Sequence, residues 1–117
     1  MSTIRGWWTE DRRLTQKFYN QELRQPGIAP EQCETWINRE IVRQHLESPA
    51  VWSIFQLQDL LGMDDKLRRP DANSERINVP GIPNYYWRYR MHMTLESLGR
   101  AETFNKAVAE MVRVSGR

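Results

Sequence analysis

Cysteine, histidine and long apolar runs are all scarce in this chain. The single Cys33 cannot close an internal disulfide, and with only His45 and His92 beside it no ligand spacing suggests a zinc site. Metal and thiol redox chemistry are therefore not expected, and neither is a cofactor. No apolar stretch approaches the ~18 to 20 residues that a membrane-spanning helix needs, and the mean hydropathy is −0.75, so no membrane partner is expected. Residues 1–8, Met-Ser-Thr-Ile-Arg-Gly-Trp-Trp, lack the apolar run of a signal peptide, which makes the cytoplasm the expected location. Six Gly and six Pro in 117 residues exclude a collagenous or low-complexity chain. Seventeen Lys plus Arg against fifteen Asp plus Glu leave a net charge of only +2, with the signs interspersed. A nucleic-acid partner is not expected, because such proteins more often carry a basic stripe.

Aromatic residues, by contrast, are plentiful: five Trp and four Tyr. Each combines a large flat surface with a polar handle, which suits cores, interfaces and sugar platforms alike. The length allows one core at most.

Residues 9 to 24 read as a helix, with Thr9 as N-cap, Glu10 and Asp11 at the positive end of the dipole, and Leu14, Phe18 and Leu23 on one face. Pro26-Gly27 ends it. A second helix is predicted after Pro30, with Glu31 and Glu34 in its first turns. Its buried side would carry Cys33, Trp36, Ile37, Ile41, Val42, His45 and Leu46, and Pro49 stops it. Ala50-Val51-Trp52-Ser53-Ile54-Phe55 has the pattern of a strand covered on both faces, as in a parallel sheet. Such a strand needs two neighbours, and no second segment of comparable quality exists in the sequence, so the chain looks incomplete. A short helical turn is predicted over 58–65, a long loop over 66–84 and a last helix over 100–114, with Phe104, Val108 and Met111 on one face and Val112 flanking it. There are no internal repeats. The fold class is thus mainly α with one β-strand, over residues 50 to 56.

The densest chemical constellation is Arg76-Ile77-Asn78-Val79-Pro80-Gly81 followed by Tyr85-Tyr86-Trp87-Arg88-Tyr89-Arg90. Aromatics interleaved with arginines can stack nucleobases and neutralise phosphates; they can equally stack on a pyranose while Asn and Arg bind hydroxyls, or simply fill a core. Gly6-Trp7-Trp8 suits either a sugar-contacting edge or a packing staple at a helix start. Gln58 and Asp59 stand at the end of the predicted strand, the edge at which α/β sheets place binding groups, though Asp59 could equally cap the following turn. Asp64-Asp65 reads as a solvated pair. His45 and His92 read as hydrogen-bonded packing rather than as bases.

Three segments together resemble one family. Met1 to Trp8, Ser53-Ile54-Phe55-Gln56-Leu57-Gln58-Asp59-Leu60-Leu61, and Arg76 to Gly81 continuing through Trp87-Arg88-Tyr89-Arg90 are similar to the C-terminal end of the 4-alpha-glucanotransferases of glycoside hydrolase family 77 (amylomaltase, or disproportionating enzyme). The fuller signature, Glu75-Arg76-Ile77-Asn78 and Tyr86 through His92, resembles the long bacterial and plant-cytosolic form. The resemblance runs over nearly all of residues 1–117 and implies one C-terminal segment of a (β/α)8 barrel, from after strand seven to the final helix, with residues 50 to 56 as strand eight.

The resemblance further implies a retaining mechanism that uses an Asp nucleophile, a Glu acid/base and a third carboxylate, all upstream of Met1. No catalytic residue is then expected in this chain, which alone would be inactive. Asn78 in the Asn-x-Pro-Gly loop is the implied sugar contact. Trp87 and Arg90 match residues that anchor that loop, Gln58 and Asp59 the floor of the site, and Arg5, Trp7 and Trp8 its approach. The implied partner of the parent enzyme is an α-1,4-glucan or maltodextrin, and unpaired strand edges lead to an expectation of self-association. The rival reading is an independent helical module that uses Tyr85 to Arg90 to bind glycan or single-stranded nucleic acid.

Overall fold

The computed structural model describes residues 3–79, 81–84, 86 and 88–117. Among the described residues six α-helices follow one another: α1 (Ile4–Glu10), α2 (Arg12–Gln21), α3 (Thr35–Glu47), α4 (Leu57–Leu61), α5 (Leu95–Gly99) and α6 (Glu102–Val114), with one 3-10 turn, Ala72–Glu75, between α4 and α5. None of them is long and apolar enough to cross a membrane.

The helix expected over 9–24 is instead two helices, because two capping side chains compete for the start. Thr3 Oγ1 accepts the Gly6 N–H at 3.1 Å and opens α1, while Asp11 leaves the helical region (φ −132°, ψ 95°) and accepts the Leu14 N–H at 3.0 Å, opening α2. Thr9, the expected N-cap, lies inside α1 and donates to the Gly6 carbonyl at 3.0 Å. Of the face expected for a helix over 9–24, Leu23 is buried just beyond the end of α2 and Phe18 is half-buried, but Leu14 is exposed.

The second helix begins at Thr35, with Glu34 at the N-cap position. It is the spine of the molecule. Ile37 and Ile41, one turn apart, enter a cluster with Trp8, Leu23, Ala29 and Cys33, whereas Val42 and Leu46 enter a second cluster with Leu61, Met63 and Phe104. Two residues expected on its buried side lie outside instead. Trp36 is exposed, with its indole N–H on Glu34 Oε2 at 2.6 Å, and His45 is exposed, with Nδ1 on the Ile41 carbonyl at 2.7 Å. The final helix starts near the expected place and is preceded by α5; Phe104 is buried, and Val108, Met111 and Val112 pack around it.

The expected strand over 50–56 does not form, and no strand occurs among the described residues. The apolar pattern is there but its partners are not: without neighbouring strands the backbone has no ladder to join. Val51, Trp52 and Ile54 are 84%, 80% and 89% exposed. The segment is held from the end of the chain, where the Arg117 guanidinium donates to the carbonyls of Leu46 (2.6 Å), Ser48 (2.8 Å) and Ala50 (2.6 Å).

Candidate functional site

The start of α1, the start of α4 and the 3-10 turn, far apart in sequence, meet through buried polar side chains. Arg5 is 7% exposed, and its guanidinium spans the base of the long loop. Nη1 donates to Glu75 Oε1 at 2.5 Å and to the Arg69 carbonyl at 2.7 Å, and Nη2 donates to the Pro70 carbonyl at 3.2 Å. Gln58, 3% exposed, donates from Nε2 to the Glu75 carbonyl at 3.2 Å. Asp59, 8% exposed, accepts the Ile4 N–H on Oδ1 at 2.8 Å, and its own carbonyl takes the Asn38 side-chain amide at 2.5 Å. The position of Asp59 in the first turn of α4 brings its side chain back to α1, where the Ile4 amide is one of the N–H groups a helix start leaves unpaired.

Burial pushes both carboxyls above their ordinary values. For Asp59 the Ile4 amide and the charge of His45 oppose that rise, and for Glu75 the charge and hydrogen bond of Arg5 oppose it. Both carboxylates are thus engaged in holding backbone and a guanidinium. No group of three or more His, Cys, Asp or Glu among the described residues is placed to hold a metal.

Asn78 is half-buried, two residues beyond Arg76, whose Nη2 pairs with Glu10 Oε1 at 2.8 Å. Gly81, in the same loop, has φ +93°, a left-handed conformation that a side chain would strain. Pro80, Tyr85 and Trp87, and with Trp87 its expected role as an anchor of the loop, lie outside the described residues. Arg90 is exposed, and its carbonyl takes Arg69 Nη2 at 2.6 Å. Arg69 also lies over the Tyr89 ring at 5.4 Å, and Arg88 over Tyr86 at 5.1 Å. Trp7 is half-buried and meets Phe18 edge-on at 5.4 Å; with Ile41, His45 and Asp59 these residues line an open cleft of about 430 Å³. Trp8 is fully buried, with its indole N–H on the Pro30 carbonyl at 2.9 Å. Arg5 and Gln58 are therefore brought together on Glu75, with Asp59 beside them on Ile4, and Asp59 also borders the cleft that Trp7 lines.

Asn38 and Glu75 were not singled out as site residues from sequence. A signal existed for Asn38: an amide on the apolar face of a helix, between Ile37 and Ile41, needs a buried partner. Glu75 had none beyond its place in the family signature.

The family model described as 4-alpha-glucanotransferase matches residues 1–95. The 4-alpha-glucanotransferase DPE2 of Oryza sativa subsp. japonica is 40% identical over 116 residues, 99% of this chain but 12% of the rice protein. The 4-alpha-glucanotransferase of Aquifex aeolicus (strain VF5) is 32% identical over 92 residues, 75% of this chain and 16% of its own length. No solved structure matches. The chain belongs to the 4-alpha-glucanotransferase family, glycoside hydrolase family 77, and spans about an eighth to a sixth of the length of these curated relatives.

Proposed function

We propose that this chain is the C-terminal segment of a cytoplasmic 4-alpha-glucanotransferase that moves α-1,4-linked glucan segments between maltodextrins or onto a glucan acceptor. The observation that carries the reading is the 40% identity to a 4-alpha-glucanotransferase over 99% of the chain. In the whole enzyme, α1 to α3 would connect barrel strands seven and eight, and residues 50 to 56 would join the barrel as strand eight. The exposed Val51, Trp52 and Ile54 support that assignment, since they combine a strand-like sequence with an uncovered surface. The role of the chain is to build one wall of the glucan site, with Asn78 meeting a sugar hydroxyl and Gln58 and Asp59 forming the floor beneath it.

Catalytic carboxylates would come from the rest of the enzyme. The engagement of Asp59 with Ile4 and of Glu75 with Arg5 supports this, because a nucleophile and an acid/base must be free to reach the glycosidic bond. The chain alone then neither disproportionates maltotriose nor hydrolyses maltodextrin, and with its uncovered strand segment it self-associates. Glucose release from maltotriose is the readout. Turnover well above a buffer blank, abolished by substituting an Asp or Glu of this chain, would overturn the reading.

A further inference from the structure

We propose that Arg5, Glu75 and Gln58 form a buried clamp that positions residues 76–79, and with them Asn78, which makes these three positioning residues for glucan binding. The proposal rests on the reading of Asn78 as a sugar contact, and its test separates the two.

Arg5 grips the loop at both ends of its 3-10 turn. The carbonyls of Arg69 and Pro70 lie just before Ala72–Glu75 and the Glu75 carboxylate at its end, so one guanidinium closes the turn on itself. The exit is fixed a second time, by Gln58 on the Glu75 carbonyl, and Arg76 carries the chain on to Glu10. Asn78 is three residues beyond Glu75 along the chain, a reach of about 10 to 11 Å when fully extended. Fixing Glu75 therefore confines Asn78 to within that reach of the clamp.

Stability alone does not account for the clamp. The Arg5 and Glu75 side chains are 8% and 2% exposed, whereas in every other ion pair among the described residues at least one partner is 20% exposed or more. The desolvation cost of such a pair roughly offsets its attraction, and apolar replacements of similar size often hold a fold as well or better. What apolar side chains cannot do is hold two carbonyls and a carboxylate in one arrangement. Position is the property that the charged pair supplies and an apolar pair would lose.

The experiment compares the chain with its Arg5→Met/Glu75→Leu variant by amide hydrogen exchange and urea unfolding. The expected result is exchange about ten- to a hundredfold faster at the Arg76 amide, which donates to the Asn73 carbonyl at 3.3 Å, with the buried amides of α3 and the urea midpoint little changed. Exchange that is unchanged at Arg76, or faster by the same factor throughout the chain, would overturn the clamp. If the double variant does not fold, Gln58→Leu leaves the ion pair in place and removes one of the two ties at Glu75. It should speed exchange at Arg76 alone, and an unchanged exchange rate there would overturn the clamp equally. Maltoheptaose titration of the unsubstituted chain tests the underlying reading: a shift of the Asn78 side-chain amide resonance supports the sugar contact. Its absence refutes that contact, and with it the part of the proposal that assigns the clamp to glucan binding.

Discussion

Gly62 closes α4 with φ −59° and ψ −16°, an ordinary right-handed conformation, so its backbone does not require glycine. Its surroundings do. A Cβ there would lie 2.9 Å from Asn38 Oδ1 and 3.0 Å from both Cγ and Nδ2. Asn38 is completely buried, and its amide holds the Asp59 carbonyl at 2.5 Å, so it cannot swing aside without giving up that bond. Helix propensity alone would make Gly62→Ala stabilising by about 0.5 to 1 kcal/mol. Overpacking costs about 1 to 3 kcal/mol and the loss of a buried hydrogen bond a comparable amount. The clash wins, and a net destabilisation of about 1 to 3 kcal/mol is expected, or roughly a 1 M fall in the urea midpoint. Tryptophan fluorescence through urea unfolding measures it. In an Asn38→Ala background the same glycine substitution should be neutral or stabilising, since the atoms it meets are gone. If Gly62→Ala stabilises the chain that retains Asn38, the close approach is not as described and the argument fails.

Other expectations follow from burial. Because Asp59 is raised above its unfolded value of 3.8, the native chain binds more protons than the unfolded one from that pH up through the raised value. The Asp59 contribution is complete below pH 3.8 and is lost as pH rises, so the parent chain should lose stability relative to Asp59→Asn as pH rises above 3.8, measured as a difference of urea midpoints; a difference that moves the other way contradicts it. Cys33 is 3% exposed and its thiol is pushed up to about 12 by burial, so native protein should resist a disulfide reagent at neutral pH and react fully in urea. Rapid stoichiometric labelling of the native chain would contradict its placement. Self-association through the exposed Val51, Trp52 and Ile54 should weaken in Trp52→Lys, and light scattering that gave a clean 14.0 kDa monomer for the parent chain would count against it.

Much of the helical frame was legible because its signals are local. The spacing of Ile37, Ile41, Val42 and Leu46 gives α3, and Pro26 and Pro49 mark the breaks. α1 was not legible as a helix because Gly6-Trp7-Trp8 offers no periodicity, and its existence turns on the Thr3 cap. The strand reading of 50–56 is a lesson of the opposite kind. Its local pattern is strong, but a strand is completed by partner strands, none of which occurs among the described residues, and the segment stays irregular under the hold of Arg117. At the site, Arg5, Gln58 and Asp59 could be named from motifs, yet their mutual arrangement could not. The Arg5 to Glu75 pair spans 70 positions, and no periodicity reports on a side chain that far away.

The central claim is that this chain supplies the glucan-site wall of a 4-alpha-glucanotransferase. Its most direct test replaces the 116 matched residues of the rice 4-alpha-glucanotransferase DPE2 with this chain and follows glucose release from maltotriose. The account predicts that the chimera transfers glucan, and that Asn78→Ala within it lowers kcat/KM about tenfold or more, the scale of one lost hydrogen bond to substrate. A chimera that folds and transfers glucan equally well with and without Asn78 would contradict it.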